Sequence, residues 1–115
     1  MLQLISNSSF FMKIAEGIEH EEISLKHGER LLVEKKHVVV ADGKVQHLYH
    51  KKEGLEVPEY QLIQDFENFF LEGKEKMIKI YRFNKETLFS YLEDNNLLNL
   101  YFLKEVDYFN GFMNK

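Results

Sequence analysis

Two observations predict an α+β domain: short β-type runs separated by glycine turns over 20–57, and helical spacing around one strand over 58–96. The expected architecture is an antiparallel β-meander of about four or five strands packed against two amphipathic helices, with a β-α-β unit at the C-terminal end. The third observation is size. At 115 residues and 44% hydrophobic content the sequence suits one domain over 1–115, because scaling buries roughly two thirds of such a chain's surface.

Taken in order, Phe10, Phe11, Ile14, Ala15 and Ile18 match one helical face behind Ser8 or Ser9, which predicts a short first helix over an extended alternative. Asp42-Gly43 between Val38-Val39-Val40 and Val45-Gln46-His47-Leu48 predicts a two-residue type I′ hairpin. A second hairpin is expected at His27-Gly28, joining 22–25 to 31–33, and Gly54 marks another turn.

After Pro58, the residues Leu62, Ile63, Phe66, Phe69 and Phe70 recur at helical spacing, with Gly73 as the left-handed stop. This predicts a helix over 58–72. Residues 77–83 are β-branched and aromatic, hence a strand, and Asn84 caps a helix carrying Leu88, Phe89, Tyr91 and Leu92 that stops by Asn95-Asn96. The continuous apolar run Leu98 to Val106 suits a strand or a helix. The strand is preferred, closing a β-α-β unit over 77–106.

Composition narrows the function classes. With no cysteine, thiolate catalysis, disulfides and thiolate-ligated metal clusters are excluded. A net charge of −4 argues against general affinity for nucleic acid or anionic membrane. Neither an export signal nor eighteen consecutive apolar residues are recognised, so a cytoplasmic protein with no membrane partner is expected. Thirteen lysines against two arginines, with abundant Asn, Ile, Phe and Tyr, suggest AT-rich coding and a bacterial or phage origin.

The type I′ register would place His37 diagonal to His50, and Lys35 opposite His50. His37 and His50 are therefore a candidate metal pair for a histidine-based hydrolase, needing a third ligand such as Glu21 or Glu22. Exposed histidines on a polar face explain the pattern more simply. The same register gathers Lys35, Lys36, Tyr49, Lys51 and Lys52 into a candidate site for nucleic acid or a nucleotide, although lysines also protect sheet edges. Serines lack a nucleophile-elbow context and glycines lack a phosphate-cradling pattern. The sequence therefore suggests no enzyme and no cofactor.

Aromatic content points elsewhere. Ten Phe and six Tyr are many for a small core, and the end of the chain concentrates them. Tyr101, Tyr108, Phe109, Phe112 and Met113 are the candidate partner-binding residues, because aromatics and Met bury much area at small entropic cost. Folding back to cover the chain's own core is an equally good use of them. The resulting expectation is a small non-enzymatic protein that binds another macromolecule or a second copy of itself, as an inhibitor, immunity or regulatory protein would.

Overall fold

The computed structural model describes residues 6–48, 55–65 and 67–113, with side chains up to Glu105 except that of Leu55. The α+β class holds: antiparallel, meander-like strands and three helices. Their order is α1 (Asn7–Gly17), β1 (Glu21–Lys26), β2 (Arg30–Val33), β3 (His37–Ala41), β4 (Val45–Leu48), β5 (Leu55–Val57), β6 (Phe69–Gly73), β7 (Met77–Asn84), α2 (Lys85–Asp94) and α3 (Leu98–Met113). One sheet runs β1-β7-β3 and the other β2-β6-β4-β5, and the neighbouring strands in both are antiparallel.

The two expected hairpins are bends. β1 and β2 lie in different sheets, and so do β3 and β4; β7 lies between β1 and β3, and β6 between β2 and β4. Three long strands thus fold over a common crease, and glycines stand along it. Gly28 takes φ +83° and donates its N–H to the Gly73 carbonyl at 2.9 Å, while the Gly73 N–H donates to Glu29 at 3.0 Å. Asp42 continues the ladder across the bend. Its N–H donates to the Lys79 carbonyl at 3.1 Å, and its carboxylate accepts from the Lys79 N–H at 2.8 Å. Gly43 is not among the positive-φ residues, so the type I′ geometry is absent. A side chain there would press on Glu75 and Ile78. With the hairpin gone, its register goes too: His37 opposes Asn84, and Val40 opposes Tyr81.

The expected helix over 58–72 is also absent. Pro58 leads into a turn closed by the Gln61 N–H on the Pro58 carbonyl at 3.3 Å, with Tyr60 at φ +61°. The chain then runs beside β3, where Val39 and Ile63 exchange backbone hydrogen bonds of 3.0 and 2.8 Å. Leu62 and Ile63 consequently enter opposite cores. Their spacing satisfies a strand period as well as a helical one, and pairing with β3, β2 and β4 decides between them. Gly73 ends β6 instead of stopping a helix; a Cβ there would sit 2.7 Å from the Lys26 carbonyl oxygen.

Folding the strands over makes two cores. Leu25, Val39, Ile78 and Ile80 from the first sheet meet Val33, Val45, Phe69 and Leu71 from the second. The other face of the first sheet presents Val38, Val40 and Phe83 to Phe10, Phe11 and Ile14 of α1, Leu88 and Leu92 of α2, and Tyr101 of α3. Each fully buried aliphatic or aromatic side chain contributes roughly 1.5–3 kcal/mol.

Capping sets the helix starts. The Ser6 hydroxyl accepts from the Ser9 N–H at 3.2 Å, so the first helix begins earlier than Ser8 or Ser9 would start it. The Asn84 side chain accepts from the Thr87 N–H at 3.0 Å, as expected. The α2 helix ends at Asn95, and Asn96 takes φ +57° to turn the chain. Beyond that turn the chain forms a third helix in place of the expected strand, so there is no β-α-β unit. Among the described residues, no helix is long and apolar enough to cross a membrane.

Candidate interaction surface

The α3 helix divides its apolar residues between the protein and its surroundings. Tyr101 is 1% exposed, with its ring edge-on to Phe89 at 5.2 Å between centroids. Its hydroxyl accepts a hydrogen bond from the Gln64 amide and is bonded to the Glu105 carboxyl. Burial pushes the Tyr101 phenol well above its ordinary range. It also pushes Glu105 up to about 7, against the opposing effect of the Tyr101 hydrogen bond. Beside them, Lys104 reaches back to the Asn7 side chain at 3.0 Å and lies 5.9 Å from the centre of the Phe10 ring. This side of α3 is anchored.

The adjoining side is not. Phe102 is 53% exposed and Leu103 is 40% exposed. The expectation that Tyr101 meets a partner is corrected: its ring belongs to the core. The helix backbone carries Tyr108, Phe109, Phe112 and Met113, whose side chains lie outside the described residues. Sequence reasoning misses Phe102 and Leu103 as site residues because it prefers a strand over 98–106. Helical spacing of the same apolar residues is the signal that could have found them.

Polar groups gather at the end of the inter-sheet core. Arg82 binds the Glu21 carboxylate at 2.6 Å, holding Glu21 below the usual carboxylate range. His37 lies on the same sheet face as Arg82, two pairs along. Burial lowers its pKa first, and the Arg82 and Lys36 charges add to this against Glu34 and Glu21. His47 packs its ring 4.3 Å from Phe69 and stands 3.7 Å from the Asp65 carboxylate. Its pKa is lowered by burial, with Asp65 opposing. Lys85 is likewise lowered by burial against Asp65, and donates to the Asp65 carbonyl at 3.2 Å.

The remaining candidates separate. Lys35 and Lys36 are exposed, and Lys36 pairs with Glu34 at 3.3 Å. Tyr49, His50, Lys51, Lys52 and Gly54 lie outside the described residues, and the hairpin register that assembled them with Lys35, Lys36 and His37 does not exist. Among the described residues, no three His, Asp or Glu side chains are grouped to hold a metal ion. On the outer face of the second sheet, Leu32 opposes Phe70, 45% and 44% exposed, beside the Arg30–Glu72–Lys74 ion pairs. Comparison with protein-family models and with curated proteins finds no match.

Proposed function

We propose that this is a non-enzymatic cytoplasmic protein that works by binding another protein through α3, in the manner of an inhibitor, immunity or regulatory protein. The observation that carries the reading is the exposure of Phe102 and Leu103 on a helix whose neighbouring residues, Tyr101, Lys104 and Glu105, tie it to the domain. A large apolar side chain held half in water on a fixed helix is suited to insertion into a partner's pocket. Aromatic anchors of this kind dominate the energy of many interfaces, so one substitution there is decisive.

The test is affinity capture from the source organism with the full chain as bait. Wild type and Phe70→Glu should retain the same captured protein, whereas Phe102→Glu should lose it with its circular dichroism spectrum intact. Equal capture by folded Phe102→Glu would overturn the reading.

A further inference from the structure

Where α2 and α3 meet water, their charges are of one sign. The rings of Phe89, Tyr101 and Phe102 form one run from α2 to α3, with centroids 5.2 and 5.6 Å apart. Glu86 and Glu93 stand three residues before Phe89 and four after it, so all three share one side of α2, the side turned to Tyr101. Both glutamates are exposed, as is Asp94 at the end of the same helix.

The cations of the two helices are turned inward. Lys85 donates to the Asp65 carbonyl at 3.2 Å, and Lys104 to the Asn7 side chain at 3.0 Å. Over 85–105 the exposed charged residues are therefore Glu86, Glu93 and Asp94 alone. The rest of α3 to Met113 adds one charged residue to the sequence, Asp107. Ion pairs among the described residues lie elsewhere, so these three exposed carboxylates keep their charge unopposed there. An exposed ring with carboxylates beside it is complementary to a surface that is apolar at its centre and basic around it. Opposite rim charges steer the encounter and select the partner, while the buried ring supplies most of the energy. An acidic rim would instead bring like charges together.

We propose that α2 and α3 together receive a partner protein whose docking surface has an apolar centre and a rim of Lys or Arg, Phe102 and Leu103 meeting the centre and Glu86 and Glu93 the rim. This rests on the reading of α3 as the binding surface and names the chemistry of its partner. Fluorescence anisotropy of two labelled amphipathic helical peptides against the full chain tests it, one peptide of Leu and Lys and the other of Leu and Glu. Wild type should bind the Lys peptide about tenfold more tightly than the Glu peptide. Glu86→Gln with Glu93→Gln, folded by circular dichroism, should lose about fivefold of that affinity, and Glu93→Gln alone, which leaves the first turn of α2 unchanged, about twofold. Phe102→Ala should lose about tenfold. Glu16→Gln with Glu59→Gln removes the same charge from exposed residues on α1 and after Pro58, and should bind as wild type does. An equal loss in both double variants would reduce the effect to net charge and overturn the proposal, as would a wild type that binds the two peptides alike or neither. If Phe102→Glu abolishes affinity capture while Glu86→Gln with Glu93→Gln leaves it unaltered, α3 keeps its binding role and the basic rim falls. If Phe102→Glu retains capture, both fall.

Discussion

Replacing Glu105 by Gln should change how stability varies with pH, and the sign follows from the site. Burial raises the Glu105 carboxyl from 4.5 to about 7 in the folded protein. Between those values the native state binds more protons than the unfolded chain, so stability is greatest below pH 4.5, declines as pH rises, and levels off above 7. At 1.36 kcal/mol for each pH unit the full span amounts to roughly 3 kcal/mol. Because the carboxyl is only partly buried, solvent screening reduces this to roughly 1–2 kcal/mol. His37 and His47 act in the opposite direction, since their lowered folded values make stability rise towards pH 6.5. They are unchanged in the variant and cancel in the difference. Urea denaturation of wild type and Glu105→Gln at pH 5 and pH 8.5 is the assay. The stability of Glu105→Gln relative to wild type should improve by roughly 1–2 kcal/mol between the two pH values. A difference that is the same at both would refute the buried, proton-retaining Glu105.

Further predictions concern the fold that presents α3. Gly73→Ala places a Cβ 2.7 Å from the Lys26 carbonyl oxygen and should cost about 2–3 kcal/mol in urea denaturation, because backbone must move. Gly28→Ala meets nothing within 4 Å but keeps φ +83°, and its cost should be nearer 1 kcal/mol. In Gly17→Ala the new Cβ would collide with the Tyr91 ring, whose hydroxyl donates to the Lys13 carbonyl at 3.0 Å. A double-mutant cycle should therefore show a smaller Gly17→Ala cost in a Tyr91→Ala background, by about 1 kcal/mol. Asn84→Ala removes the α2 cap and should lower stability by about 1 kcal/mol in thermal or urea melts.

The parts of the fold legible in the sequence are those set by local chemistry. Phe10, Phe11 and Ile14 share a helical face, Asn84 caps its helix, and the β-branched run 77–83 forms the central strand of its sheet. Where a signal is shared by two structures, distant partners decide. Asp42-Gly43 permits a reversal or a bend, and the Lys79 backbone selects the bend. Leu62 and Ile63 fit either period, and Val39 fixes the extended one. The run after Leu98 is apolar on several sides because one side covers Phe89 and the core while another carries Phe102 and Leu103. A binding helix of that kind loses the clean periodicity by which helices are recognised. The polar end of the inter-sheet core could not be read either, because His47 meets Phe69 and Asp65 only after the strands fold over.

Hydroxyl-radical footprinting of the full chain tests the assignment of α3 most directly. Phe102 should be oxidised readily, while Tyr101 stays protected. Labelling of Tyr101 as heavy as that of Phe102 would contradict the assignment.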